Sequence, residues 1–187
     1  MLTNAPFGLR AAYHPSAEEH AAGFPIASGY GVNIFKGDPV ILATNGTVIA
    51  GTVAADLLGV FVGVEYTDIN GKPSYSNFWP AGQTVQAGAP AQAFVVTDPT
   101  VVYEVQANGP VAATAVGDQA DMVVGAGNVL TGQSTVTLNS TLAGVGIQAQ
   151  FRIVGFGLMP DNLPGDAFTV VRVQIARHQF VANKVAV

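Results

Sequence analysis

Hydrolysis by a hydroxyl nucleophile needs a serine held against a histidine base, usually on a glycine-flanked elbow. Ser134 stands in Gly132-Gln133-Ser134-Thr135-Val136, which lacks the second glycine, and the three histidines (His14, His20 and His178) lie towards the two ends of the chain. His14 and His20 with Glu18 and Glu19 have the donor types of a zinc site. They occupy a stretch with no periodic scaffold to fix their geometry, so it reads as a solvated segment and no metal ligand is assigned. Glycoside cleavage needs two carboxylates across a cleft. The nearest pairs, Glu65 with Asp68, Asp118 with Asp121 and Asp161 with Asp166, fall at strand ends or in turns, where Asp bonds its own backbone. The stretch 161–166 lacks the alternating acidic spacing of a calcium loop. Gly-x-Gly pairs at Gly29, Gly125, Gly144 and Gly155 never extend to a third glycine or to Gly-Lys-Ser/Thr, as phosphate cradles require. Cysteine is absent, which excludes thiolate catalysis and disulfide scaffolding. The residues therefore assign no catalytic, cofactor-binding or metal site, and the chain reads as a non-enzyme.

The charge pattern narrows the partners. Only 10% of the 187 residues are charged, against about 25% in an average soluble domain. The formal net charge is −5, the wrong sign for gripping a nucleic-acid backbone. No Lys or Arg occurs between Lys72 and Arg152, so the basic groups collect at the two ends of the sequence. The longest apolar runs, such as Leu57 to Val64, are too short to span a bilayer, and Met1 to Tyr13 does not read as a secretory signal. A mean hydropathy of +0.38 then points either to a large core or to apolar surface covered by partner subunits.

The elements that would position any site are β-strands. Residues 1–23 lack strand or helix periodicity and read as an extended N-terminal arm that orders against something else. Residues 24–187 carry runs of Val, Ile, Thr and Phe separated by Gly, Pro, Asn and Asp. Strands are expected at 32–35, 40–43, 48–53, 59–66, 91–96, 101–106, 134–138, 151–156 and 168–175. Asn45-Gly46 marks a hairpin of the type I′ kind, and 68–71 a second turn. In 168–175, Val171, Val173 and Ile175 point to one face while Arg172 and Gln174 point to the other. Leu58–Gly63 and Arg152–Gly157 read as strands kinked at glycine. One helical turn is expected near 117–120. The fold class is all-β: a short-stranded barrel or sandwich with an extended arm, possibly in two small lobes. Tyr75, Phe78 and Trp79 form an aromatic stretch between Pro73 and Pro80, which serves either to close the core or to stack on a sugar or a partner.

Three phrases, 35–40 (Phe-Lys-Gly-Asp-Pro-Val), 59–66 (Gly-Val-Phe-Val-Gly-Val-Glu-Tyr) and 167–173 (Ala-Phe-Thr-Val-Val-Arg-Val), resemble tailed-bacteriophage virion proteins, of which the head decoration, or cement, proteins are the nearest class. The resemblance runs over most of residues 24–180. It implies a small β-rich virion protein, a homotrimer on the outer capsid surface, with the major capsid protein as partner and with no cofactor, nucleic acid or membrane involved. In that setting Met1, Leu2, Phe7, Leu9, Arg10 and Tyr13 of the arm, with Phe78 and Trp79, are the expected interface residues. A phage tail or a receptor- or carbohydrate-binding β module is the alternative.

Overall fold

The computed structural model describes residues 3–15 and 20–181. Strands are numbered along the chain. The first sheet has the order β1 (Arg10–Tyr13), β10 (Val102–Gln106), β15 (Val170–Ile175), β14 (Phe151–Phe156) and β11 (Gln119–Ala120). The second has the order β2 (Ala21–Ile26), β9 (Ala91–Val96), β6 (Gly59–Thr67), β4 (Pro39–Leu42) and β5 (Val48–Ala50), with β7 (Pro73–Ser76) added to β6. Two short ladders, β3 (Ile34–Phe35) with β8 (Phe78–Trp79) and β12 (Met122–Val123) with β13 (Thr137–Leu138), fill the gaps. The sheets are antiparallel and none closes into a barrel, so the architecture is sandwich-like. A single 3-10 turn at Ala113–Ala115 stands in place of the helical turn expected at 117–120.

Two buried clusters share one wall. The first lies against the five-stranded sheet and holds Tyr103, Val105, Phe151, Ile153, Val171 and Val173, together with Val60 and Val96 from the second sheet. The second cluster collects Phe61, Val64, Ala93, Val95, Trp79 and Ile34. Adjacent residues of β6 and β9 therefore point into different clusters, which is why these strands read as unbroken apolar runs. Trp79 is wholly buried; its indole N–H donates to the Tyr30 carbonyl at 3.3 Å and its ring meets Tyr66 edge-on. Truncating such a residue to alanine typically costs about 3–5 kcal/mol.

The two glycine-kinked strands carry a bulge just before the glycine. In β6, Phe61 faces Val95 and Gly63 faces Phe94, so Val62 is the extra residue. In β14, Ile153 faces Val173 and Gly155 faces Arg172, with Val154 extra. Each bulge shifts the side-chain alternation by one, so Phe61 and Val64 reach the same core although their parity differs. The Asn45-Gly46 hairpin joins β4 to β5, with a correction. Only Gly46 has positive φ (78°), the Gly46 amide donates to the Ala43 carbonyl, and Asn45 Oδ1 accepts from the Thr47 amide and hydroxyl. A type I′ turn would need positive φ at Asn45 as well, so this is a three-residue loop with glycine in the left-handed position.

The N-terminal segment orders against its own domain. Arg10 pairs with Glu104 and Tyr13 with Val102 across β1 and β10, while the Leu9 amide donates to the Gly37 carbonyl. Gln106 holds the stretch before it, accepting the Ala5 amide and donating to the Thr3 carbonyl. Residues 21–26 also pair along their whole length with β9. At the other end of the sequence, Gln179 brackets Leu42 with two side-chain bonds, and the Leu57 amide donates to the Arg177 carbonyl.

Gly59 lies at the end of β6 beside β9, and a methyl there would run into the Val96 carbonyl oxygen. Gly59→Ala is expected to lower stability by about 3 kcal/mol, seen as a fall in the urea midpoint at unchanged slope. Gly46→Ala, which meets no neighbour but takes a left-handed φ, is expected to cost only about 1–2 kcal/mol. Equal losses at the two positions would contradict this account.

Candidate functional site

The N-terminal strand and the outer face of the five-stranded sheet bring three of the expected residues together. Cross-strand register places Arg10, Glu104 and Arg172 in one row over β1, β10 and β15. Glu104 takes the Arg10 Nη2 at 2.7 Å on one oxygen, and the Arg172 Nε and Nη2 at 3.3 Å on the other. The Arg10 guanidinium lies 4.8 Å from the Phe7 ring centroid and the Arg172 guanidinium 5.8 Å from that of Tyr13. Phe7, Arg10, Glu104, Arg172 and Tyr13 thus form a strip in which one carboxylate serves two cations. It carries one net positive charge on a chain of net charge −5. Such partly exposed pairs contribute little to stability, about 0–1 kcal/mol each, so the strip is a surface that presents charge rather than a brace.

The other expected interface residues lie elsewhere. Met1 and Leu2 are outside the described residues, as are Glu18 and Glu19. Leu9 is a correction: only 4% exposed, it packs in the first core cluster because its side chain turns inward beside Ala11. Phe78 is half-buried and stacks on Phe35, with centroids 5.6 Å apart. Trp79 is also a correction, since its pairing with Ile34 seats it in the second core. Tyr75 alone of that aromatic stretch is open to solvent, at 75%. Sequence reasoning missed Glu104 as the centre of the strip. The outward alternation of Arg172 was readable, but nothing local says that β10 lies beside both β1 and β15.

The groups with catalytic potential are engaged in turns. His14 Nε2 lies 2.9 Å from Asp98 Oδ2 and 2.9 Å from Thr100 Oγ1. A hydroxyl–imidazole–carboxylate relay needs those partners on opposite ring nitrogens. Here both share one nitrogen, while Asp98 Oδ1 accepts the Thr100 amide and hydroxyl. This is a capped turn between β9 and β10, and these bonds hold the Asp98 carboxyl below its ordinary range. Asp68 accepts the Asn70 and Lys72 amides, Asp121 the Gln150 amide and Asp166 the Leu163 amide, so one carboxylate of each expected pair closes a loop. Asp38 is more enclosed: it takes the Phe35 amide at 2.7 Å and the Ser134 hydroxyl, and burial pushes its carboxyl up despite them. Among the described residues no group of three or more His, Cys, Asp or Glu side chains is placed to hold a metal ion.

What the surface offers instead is apolar. Leu130 is 93% exposed on a loop that is tightly built: Asn128 Oδ1 accepts the Leu130 and Thr131 amides, and the Asn77 side chain donates to the Thr131 carbonyl. Val145 and Ile147 stand out from the connection leading into β14, and Leu158 and Leu163 from the one leaving it. The two connections meet opposite ends of β14, a strand of six residues and so roughly 20 Å long.

His178 is wholly buried; its Nδ1 accepts the Phe180 amide at 3.0 Å, which puts the ring proton on the buried Nε2. Burial lowers its pKa below 6.5, outweighing the Thr97 backbone and the Asp98 charge, which act in the opposite sense. The unfolded chain takes up this proton below pH 6.5 while the folded chain resists. Stability from this group is therefore full above pH 6.5 and lost as pH falls towards the folded-state value. Asp38, raised, has the opposite slope, so the comparison must be made within one background. The urea midpoint of His178→Gln is expected to fall less steeply than wild type between pH 6.5 and 5, the difference being at most about 1.4 kcal/mol per pH unit. Parallel profiles would show that His178 titrates normally. No protein-family model matches the chain, and neither a curated protein nor a solved structure matches it.

Proposed function

We propose that this chain is a virion structural protein, a capsid decoration or cement protein. It sits on the outer head surface between neighbouring major capsid subunits, as a homotrimer. The observation that carries the reading is the placement of large apolar side chains on loops at both ends of the five-stranded sheet, with Leu130 on a third. Side chains that protrude singly are unremarkable on a monomer, but paired groups at opposite ends suit a body that joins two neighbours. Few charges need to be desolvated when such a surface is covered, because only 10% of the residues carry one. Bridging through several weak sites also gains from effective concentration: contacts of about −4 kcal/mol each hold firmly once linked.

The carbohydrate-binding alternative loses ground on one point. A stacking platform needs exposed aromatic faces, and of Tyr75, Phe78 and Trp79 only Tyr75 offers one.

Two measurements test the proposal. The purified chain should sediment at three times its 19.1 kDa mass, and it should restore full occupancy to heads of the source phage stripped of it. Leu158→Asp with Leu163→Asp should keep the β circular-dichroism signal while lowering occupancy by about tenfold or more. A monomer that leaves the heads bare, or a double variant that binds as wild type does, would overturn the assignment.

A further inference from the structure

A cavity of about 580 Å³ lies beside the N-terminal strand, lined by residues of both sheets. Its walls are Leu9, Val60, Val62, Val96 and Tyr103. Val60 and Val62, two residues apart on β6, turn to the same side. At the rim stand Arg10 and Lys36. Arg10 shares its only carboxylate with Arg172, and the Lys36 ammonium is paired with no carboxylate among the described residues. The mouth is thus locally positive on an acidic chain, above an apolar floor.

Several backbone groups around the cavity are already paired. The Leu9 amide bonds the Gly37 carbonyl, the Gly37 amide the Phe61 carbonyl, and the Phe61 amide the Asp38 carbonyl. The Gln133 side-chain amide covers the Phe7 and Lys36 carbonyls. A saturated hydrocarbon chain needs no hydrogen-bond partner among these paired groups, whereas each amide of a peptide would need one. The volume falls in the range of about 300–1,000 Å³ usual for small-molecule sites.

We propose that this cavity is a binding site for a small amphipathic anion, an unbranched hydrocarbon chain ending in a carboxylate. The chain lies between Val60, Val62, Val96 and Tyr103, and the head group meets Lys36. The site is independent of the capsid assignment and stands or falls without it.

Calorimetry with dodecanoate below its micellar concentration tests the site on the full chain. One molecule should bind per chain with a dissociation constant on the order of micromolar, whereas acetate and dodecyltrimethylammonium should not saturate. Val62→Trp, which fills the cavity, should weaken binding by about 30-fold, and Lys36→Glu by about tenfold. Ala11→Phe at the edge of the same cavity replaces Val62→Trp if that variant loses its β circular-dichroism signal. Absence of saturable heat up to about 1 mM would overturn the proposal. So would wild-type affinity in the filled variant, equal affinity for the cationic surfactant, or preference for an acidic apolar peptide over dodecanoate.

Discussion

The fold depends on a pair of strands that has no solvent-facing side along much of its length. β6 and β9 divide the interior: Val60 and Val96 face one core, and Phe61, Val95 and Ala93 face the other. Where both faces of this pair are covered there is little room for an added group, and a methyl at Gly59 would meet the Val96 carbonyl. It also fixes how far the sheets can diverge. The bulge at Val62 shifts the register by one, so that Val64 faces Ala93 and joins Phe61 in the second core.

The central strands were legible because β-branched residues run together there; 91–96 and 151–156 have the expected bounds. Strands at the margins were hidden for physical reasons. β1 is Arg-Ala-Ala-Tyr, β7 is Pro-Ser-Tyr-Ser, and β2 contains both Gly23 and Pro25. None has intrinsic strand preference, and each exists because a neighbouring strand supplies the ladder. The proline suits an edge, where a missing amide breaks no bond. Conversely, the run expected at 134–138 shortens to Thr137–Leu138 because Ser134 turns its hydroxyl onto the Val136 amide. Register was the larger obstacle for the site. Arg172 faces outward as its alternation requires, but its meeting with Glu104 and Arg10 follows only from which strands adjoin. Trp79 shows the same limit from the other side. A tryptophan between prolines has the same local sequence whether it is the lid of a core or a binding platform, and only the Ile34 pairing decides.

Polar side chains serve the architecture almost throughout. Asn45, Asp68, Asp98, Asn128, Asn139 and Asp166 each accept a nearby backbone amide, so the turns are stiff although they are rich in glycine. Gln150, wholly buried, holds two separate segments: it donates to the Thr52 and Ala55 carbonyls and accepts the Met122 amide. That clamp accompanies Ala54, whose φ of 62° is the one positive value outside glycine among the described residues.

The bonds joining Gln179 to Leu42, and the Arg177 carbonyl to Leu57, span more than a hundred residues of sequence. On the ribosome, the β4–β5 hairpin and the β6–β7 ladder emerge early and can pair at once, while the partners that seal Leu42 and Leu57 are still untranslated. Half of the second sheet must wait with apolar surface uncovered until residues 177–179 arrive. Nascent chains of this topology are therefore most vulnerable to mutual adhesion late in synthesis, and slow closure is the kinetic consequence of tying the two ends of the sequence to its middle.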